Sequence, residues 1–241
     1  MKREYWIILI VYIGMQLSSL IGIPVLIFGF NRFGISQKLA VPSWLIASFS
    51  LALIIVLLIL RKEMNSRSSM SEKGSSFVSS AIWAIFGVFL ALFAQTVAGN
   101  IERLIGVDMS SENTKDILNI INAFPLAIMV SSVFGPILEE IVFRKIIFGS
   151  LHKRFNFFIS AIISSVIFAL AHMEPQHVLL YSAMGFTFAY LYVKTKHIIV
   201  PIFAHVAMNT LVVVVQSAYK DDIEKVIRDA EAIQNFIGGF L

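Results

Sequence analysis

Side chains that can move protons or hold negative charge lie in three stretches of the chain that are otherwise apolar. Glu139 and Glu140 stand together in the first stretch, His172 ends the second, and His205 precedes Asn209 by four residues in the third. An ionisable group at the centre of a membrane helix costs about 2.5–3.5 kcal/mol on insertion scales, so such a cluster indicates function. These residue types predict general acid–base chemistry with stabilisation of a developing negative charge.

The first stretch also contains Arg144, four residues after Glu140. On a helix this spacing puts acid and base on one face. Glu139 is rotated by about 100° from Glu140, so Arg144 serves it poorly. We therefore predict a structural Glu140–Arg144 ion pair and a free Glu139 that acts as general base or acid. In the alternative, both glutamates are structural and Lys145 pairs with the second.

The histidines differ in their predicted roles. His205 and Asn209 share a helix face and are suited to hold the oxyanion of a tetrahedral intermediate, whereas the alternative for Asn209 is an interhelical hydrogen bond. His172 stands just before Glu174-Pro175, where a helix must break. Glu174 is expected to be a loop acid, and we predict no catalytic role for His177.

The composition indicates that lipid surrounds most of the chain. Of its 241 residues, 58% are hydrophobic and 14% are charged, whereas soluble domains carry about 25% charged residues. This balance excludes a disordered chain and a soluble nucleic-acid binder. The chain has no cysteine, which excludes disulfides, thiolate zinc sites and a cysteine nucleophile.

We predict an all-α, polytopic membrane helical bundle of about seven transmembrane helices, within a range of six to eight, because each span needs about 20 apolar residues. The fourth span contains Gly135-Pro136 and is expected to be kinked or broken. The predicted spans are Tyr5–Phe30, Val41–Leu60, Phe77–Ala98, Phe124–Leu151, Phe155–Ala171, His177–Val193 and Ile198–Tyr219.

Four regions follow from this pattern. They are two N-terminal transmembrane helices in 1–61, a Ser-rich polar linker in 62–76, a catalytic membrane core in 77–219 whose polar stretches span 139–209, and an amphipathic tail in 220–241. The tail is predicted to form an interfacial C-terminal helix, with a solvated helix as the alternative. A short interfacial helix is also expected around 117–121.

Lysine and arginine residues predict the orientation of the bundle. A cytoplasmic N-terminus places 10 of them on the cytoplasmic side: Lys2, Arg3, Arg61, Lys62, Arg67, Lys73, Lys153, Arg154, Lys194 and Lys196. It places 7 outside: Arg32, Lys38, Arg103, Lys115, Lys220, Lys225 and Arg228. We therefore predict a multi-pass protein of the cell membrane, as in a bacterial plasma membrane, with a cytoplasmic N-terminus and a polar site that opens toward the cytoplasm.

The depths of the polar residues are harder to reconcile. A rise of about 1.5 Å per residue from the cytoplasmic span ends places Glu139 about 18 Å deep, His205 about 11 Å and His172 about 26 Å. Residues that share one water molecule must lie at similar depths. The conflict is reduced if the fifth span begins later than Phe155 or if the spans are tilted and offset.

Three motifs in this order resemble those of the CaaX protease and bacteriocin-processing family (CPBP or Abi), whose members are intramembrane endopeptidases. Glu139-Glu140-Ile-Val-Phe-Arg144 matches EExxxR, Phe168-Ala-Leu-Ala-His172 matches FxxxH, and His205-Val-Ala-Met-Asn209 matches HxxxN. The resemblance covers roughly residues 124–215. Each motif alone is weak, but the three together are specific.

The resemblance implies a role for each matched residue. Glu139 would work with His172 to activate water, and His205 with Asn209 would stabilise the oxyanion. Glu140 and Arg144 would support the first helix. A zinc-dependent version would use Glu139, His172 and His205 as ligands with water in the open position, although the chain has no HExxH motif. We expect no cofactor and a metal-free reaction.

The expected function is that of an intramembrane endopeptidase. Its partners would be the lipid bilayer and a hydrophobic peptide or membrane-protein substrate, with no nucleic acid. One alternative is a non-catalytic membrane scaffold or bacteriocin-immunity factor, but no motif position is degraded. A proton-coupled carrier is another alternative, but the chain shows no internal repeat and the His205–Asn209 pair suits an oxyanion better.

Overall fold

The computed structural model describes residues 2–66, 74–108 and 111–219, except for the side chains of 62–66, and these ranges contain no strand. Eight helices follow one another in this part of the chain. They are α1 (Arg3–Arg32), α2 (Ala40–Ser66), α3 (Phe77–Leu104), α4 (Glu112–Ala123), α5 (Pro125–Leu151), α6 (Phe157–Leu170), α7 (Val178–Thr195) and α8 (Ile199–Ala218). Short 3-10 turns cover Gln37–Leu39 and Pro175–His177.

The apolar segments form helices because lipid offers no partner to a backbone N–H or C=O group, so each must bond within its own segment. Polar residues mark where several helices begin. Ser76, Ser111 and Asn156 cap α3, α4 and α6, since each side chain accepts a hydrogen bond from the backbone N–H three residues further on. The short helix expected around 117–121 is α4.

All seven predicted spans contain a helix, which confirms the polytopic helical bundle. Five of these helices, α1, α2, α3, α5 and α8, are long and apolar enough to cross a membrane. The other two are shorter, with 14 residues in α6 and 18 in α7. The chain is therefore a multi-pass membrane protein. Helix α2 continues to Ser66, into the expected linker, while 67–73 and the predicted C-terminal helix in 220–241 lie outside the described residues.

The fourth span, α5, passes through Gly135-Pro136 as one continuous helical segment, so it is not broken there. Its backbone widens into π-helical turns at Val130–Phe134 and Glu140–Phe148, with an α-helical turn at Gly135–Glu139 between them. π-Helical turns bond residue i to i+5 and occur frequently at functional sites. Pro136 has no N–H to donate, which makes an ordinary α-helical ladder incomplete at this point.

Hydrogen bonds between distant segments define two ends of the bundle. At the first end, the Ser75 N–H donates to the Thr195 carbonyl over 3.1 Å, next to His197. At the second end, Ser111 donates to Glu174 over 2.8 Å. The short connection between Arg32 and Ala40 makes α1 and α2 pack antiparallel, and Trp44 Nε1 donates to Ser18 Oγ over 3.2 Å. Tyr12 contacts Phe143, in the second half of α5, with ring centroids 5.9 Å apart, so Arg3 lies at the first end. We call these the N-terminal end and the α4 end.

The core lies around α5, which the other helices cover. Seven of the nine residues in Glu140–Phe148 are buried. Helices α6 and α7 approach each other closely, because a Cβ at Gly185 would lie 2.9 Å from the Ser165 Cβ. Small residues at such crossings let membrane helices pack by van der Waals contact. This packing fixes the end of α6 beside the start of α7, where His172 lies.

Candidate active site

A cavity of about 720 Å³ connects the middle of the bundle with the α4 end. All four residues predicted to be catalytic, Glu139, His172, His205 and Asn209, line it. Glu139 comes from α5, His172 from the turn after α6, and the other two from α8. The two residues predicted to be supporting, Glu140 and Arg144, are fully buried beneath it. The structure thus separates the six motif residues into a cavity-lining set and a buried set.

The buried set forms an ion pair. Arg144 Nε lies 3.2 Å from Glu140 Oε2, as the spacing predicted, and both side chains are inaccessible to solvent. The guanidinium also lies 4.6 Å from the centre of the Phe168 ring and 5.7 Å from that of Phe188. Its two terminal nitrogens have no hydrogen-bond partner among the described residues, so the aromatic faces are their main surroundings.

His205 bridges the two glutamates. Its Nδ1 lies 3.0 Å from Glu140 Oε1 and its Nε2 lies 3.8 Å from Glu139 Oε2. A carboxylate beside Arg144 accepts hydrogen bonds, so Nδ1 donates to Glu140, and Nε2 faces the cavity. The ring stacks on Phe188 with centroids 4.6 Å apart. The contact between His205 and Glu140, which are 65 positions apart, joins the first and third motifs.

His172 is held by its own helix end and by α7. Its Nδ1 lies 2.8 Å from the Phe168 carbonyl oxygen, which only accepts, so Nδ1 is the protonated nitrogen and Nε2 is available to accept. The Tyr181 ring stacks on the imidazole at 4.0 Å between centroids. Helix α6 begins at Phe157, and His172 lies past its end. The start two residues later than expected removes about 3 Å of the depth difference between His172 and Glu139.

Asn209 lies one turn beyond His205 on α8. Its Nδ2 donates to the Ser131 carbonyl in α5 over 3.3 Å. An amide nitrogen carries two N–H groups, so this interhelical bond leaves one donor for the cavity that Asn209 lines. The two interpretations of Asn209 are therefore compatible, since the bond to α5 orients the amide.

Glu174 is buried and joins the turn after α6 to the start of α4. Its carboxylate accepts hydrogen bonds from Tyr181 Oη at 2.6 Å, from Ser111 Oγ at 2.8 Å and from the Asn113 N–H at 3.0 Å. Burial alone raises the pKa of this carboxyl, but the bonds from Tyr181, Asn113 and Ser111 together hold that pKa below its ordinary value. Glu174 is thus more than the loop acid expected from the sequence.

The Glu174 carboxylate is expected to stabilise the fold at neutral pH. A carboxyl whose pKa is lower in the folded state contributes stability above its unfolded pKa, and this contribution is lost as the pH falls through the folded value. We expect Glu174→Gln to lower the melting temperature at neutral pH and the difference from wild type to shrink on acidification. Thermal unfolding in detergent across this pH range checks it. A constant difference at every pH would contradict the assignment.

A second buried acid–histidine pair lies at the α4 end. His177 Nδ1 lies 2.9 Å from Glu102 Oε2, and the Leu180 N–H donates to Glu102 Oε1 over 2.9 Å. The sequence placed Glu102 in a connection, but α3 continues to Leu104 and carries it inside the bundle. The apolar periodicity of the sequence continues through Ile101, and this pattern could have predicted the longer helix. His177 also lines the main cavity.

The zinc alternative requires Glu139, His172 and His205 to converge on one ion. In the described part of the chain, no three His, Asp or Glu side chains form a group that is able to hold a metal ion. The Glu139–His205 distance of 3.8 Å supplies two candidate ligands and no third. The residues as arranged do not fit zinc.

Comparisons with known proteins agree with the motifs. Residues 121–211 match the family model described as "Type II CAAX prenyl endopeptidase Rce1-like". "Putative membrane peptidase YdiL" of Bacillus subtilis (strain 168) is 50% identical over 222 residues, which cover 90% of each chain. "Membrane-embedded CAAX protease MroQ" of Staphylococcus aureus (strain USA300) is 35% identical over 158 residues, which cover 63% of this chain and 64% of MroQ. No solved structure matches.

The matched region contains all three motifs, including the four motif residues that line the cavity. The chain belongs to the Rce1-like family of type II CAAX prenyl endopeptidases. This membership, together with the apolar helices, supports a peptidase activity located in the membrane.

Proposed function

We propose that this protein is an intramembrane endopeptidase of the cell membrane, which hydrolyses a peptide bond in a hydrophobic peptide or membrane protein with water activated by Glu139. One observation carries the proposal. The motif residues Glu139, His172, His205 and Asn209 present a carboxylate, two imidazoles and an amide to the cavity inside the bundle, while Arg144 is buried away from it. These groups supply a base, a proton relay and oxyanion donors without a nucleophilic side chain.

The first step is attack by water. Glu139 removes a proton from water, and His172 orients that water through its available Nε2. The water oxygen then bonds to the scissile carbonyl carbon. In this scheme both ring nitrogens of His205 carry a proton. When Glu139 becomes neutral, it no longer attracts the His205 Nε2–H, which lies 3.8 Å away. The imidazolium, with Glu140 as its counterion, then donates to the oxyanion together with the free Asn209 N–H.

The second step is collapse of the tetrahedral intermediate. The protonated Glu139 delivers its proton to the leaving amine nitrogen, the C–N bond breaks, and the products are a carboxyl terminus and a free amine. No covalent intermediate with the protein forms in this scheme, because the attacking oxygen comes from water. The buried Glu140–Arg144 pair acts only through His205, by keeping the ring oriented and its charge compensated.

The test compares new protein N-termini in membranes of cells that express the wild type or Glu139→Ala at matched levels. New termini that require Glu139 would establish proteolysis, identify the substrate and locate the cleaved bond. Identical termini with the cellular phenotype preserved in the variant would overturn the proposal and favour the non-catalytic scaffold or immunity factor. Identical termini with the phenotype lost would overturn it in favour of a proton relay.

A reaction without a metal ion predicts that a chelator leaves the activity unchanged. We expect purified protein in detergent to keep its peptidase activity after incubation with a zinc chelator and dialysis, because no step needs a metal ion. The measurement is the rate of cleavage of a peptide containing the identified bond, before and after treatment. Loss of activity that added Zn²⁺ restores, while other divalent ions do not, would instead assign Glu139, His172 and His205 as ligands.

A further inference from the structure

We propose that a second cavity, beside the one that holds Glu139, is a subsite that binds the backbone of the substrate peptide on one side of the scissile bond. The choice of a peptide as its ligand rests on the proposed function. Three features support the subsite: the two cavities share part of their walls, a buried acid–histidine pair lies where they meet, and two glutamine side chains there have buried oxygens without partners.

The second cavity has a volume of about 510 Å³ and lies between α3 and α8, toward the α4 end. Its walls include apolar side chains, among them Leu92 in α3 and Leu211 and Val215 in α8. Five residues line both this cavity and the active-site cavity: Gln95, His177, Leu180, Val212 and Gln216. The two cavities therefore meet at these five residues, which we call the junction.

The acid–histidine pair of Glu102 and His177 contributes a polar group to the junction. His177 Nδ1 lies 2.9 Å from Glu102 Oε2, and the two side chains are only 5% and 4% exposed. His205 is held in the same way, with Nδ1 3.0 Å from Glu140. In both pairs a carboxylate engages Nδ1, so Nε2 is the ring nitrogen left for a ligand. The proposed reaction assigns a step to His205 and none to His177, whose Nε2 is available to bind substrate.

Two glutamines add hydrogen-bond acceptors at the junction. The Oε1 atoms of Gln95 and Gln216 are buried and have no hydrogen-bond partner in the part of the chain that the structure describes. Gln95 belongs to α3 and Gln216 to α8, so the acceptors come from the two helices that enclose the second cavity. A buried polar group without a partner is unfavourable, and a peptide N–H group is the kind of donor that these oxygens need.

These groups fit a peptide backbone better than a lipid chain. Each peptide unit brings one N–H donor and one C=O acceptor, whereas a hydrocarbon chain would leave His177 Nε2 and both glutamine oxygens without partners. The junction also lies close to the reacting groups. Tyr181, one turn after His177 in α7, stacks on the His172 ring with centroids 4.0 Å apart. A peptide whose scissile bond lies at His172 therefore reaches the junction within a short segment.

The variants Gln95→Leu and Gln216→Leu test the subsite. Leucine has a similar size but no hydrogen-bonding group, and the replaced oxygens have no partner to lose. Replacing His177 is less informative, because it would leave the buried Glu102 carboxylate uncompensated and destabilise the fold. The matched control is Gln176→Leu, since Gln176 is exposed and lines neither cavity.

The probe is a synthetic peptide that contains the bond whose cleavage requires Glu139. It is used at full length, shortened from either side of that bond, and with single amides replaced by esters. An ester lacks the N–H group, so it removes the donor that a glutamine oxygen would bind. The values of kcat and KM are measured with the purified full chain in detergent, and the melting temperature of each variant verifies folding.

We expect each of Gln95→Leu and Gln216→Leu to raise KM for the full-length peptide about 2–10-fold, the usual contribution of one hydrogen bond. The kcat value and the melting temperature should stay close to those of the wild type, and Gln176→Leu should match the wild type throughout. The increase in KM should disappear for peptides shortened on one side of the bond only. An ester on that side should raise KM in the wild type and have no further effect in the leucine variant of the glutamine that binds the amide.

Wild-type KM values in both leucine variants would overturn the subsite. An increase in KM that is the same for peptides shortened on either side would also overturn it, because the glutamines would then act on the fold. A change that follows the chain length of added phospholipid, and not the length of the peptide, would replace the peptide with a lipid as the ligand. Each of these results leaves the termini that require Glu139 in place, whereas failure of the proposed function removes them, so the two proposals fail separately.

Discussion

Glu139→Gln is expected to lower kcat/KM for the identified peptide by about 10²–10⁴-fold, the usual contribution of a general acid–base group. Glutamine keeps the size of the side chain but neither removes a proton from water nor returns one to the leaving amine. Rates are measured with purified protein in detergent or nanodiscs. The melting temperature should stay close to that of the wild type, because Glu139 is outside the buried ion pair.

The matched control for this prediction is Glu112→Gln. It makes the same chemical change on the exposed surface of α4, at a position that does not line the cavity. This variant should retain wild-type turnover. Near-normal activity in Glu139→Gln would contradict the assignment of the base and leave His172 as the group that accepts the proton.

Removing one member of the Glu140–Arg144 pair is expected to destabilise the protein by about 3–5 kcal/mol, because the other charge stays buried without compensation. We expect Glu140→Met and Arg144→Met each to unfold at a much lower temperature in detergent. The double variant should be less destabilised than the sum of the two, since it buries no unpaired charge. All three should lose activity because His205 loses its orientation.

Arg144→Lys separates charge from shape in this pair. Lysine keeps the positive charge near Glu140 but lacks the planar group that faces Phe168 and Phe188. We expect a loss of stability between that of the wild type and that of Arg144→Met.

The double methionine variant also has an outcome that would contradict the coupling of Glu140 and Arg144. Additive effects of the two substitutions, measured by thermal unfolding, would mean that the 3.2 Å contact contributes no coupling energy.

The sequence predicted the interactions that depend on spacing within one helix. The four-residue separation of Glu140 and Arg144 and the split between the two glutamates follow from helical geometry alone. The same holds for the placement of His205 and Asn209 on one face of α8. The all-helical membrane bundle followed from apolar runs, because lipid permits few other backbone structures.

Contacts between different helices could not be predicted from residue spacing within one helix. His205 lies 65 residues from Glu140, and no local pattern indicates which glutamate its Nδ1 meets. Tyr181 and Ser111 resemble ordinary helix and loop residues in the sequence, yet they hold His172 and Glu174 in place. Their roles depend on how α4, α6 and α7 pack, which is decided by the shape of many side chains together.

The π-helical turns of α5 have a consequence for insertions and deletions in this chain. Between Glu140 and Phe148 the backbone bonds run from i to i+5, so this stretch holds more residues per turn than an α-helix. Deleting one residue there allows the segment to return to α-helical bonding, which keeps the side chains after Phe148 near their present orientation but turns those within the stretch relative to Glu139. Arg144 would leave the rings of Phe168 and Phe188. Residue count in this stretch is therefore as restrictive for a functional variant as residue identity, whereas the apolar outer faces of α1 and α2 tolerate exchange of one lipid-facing side chain for another.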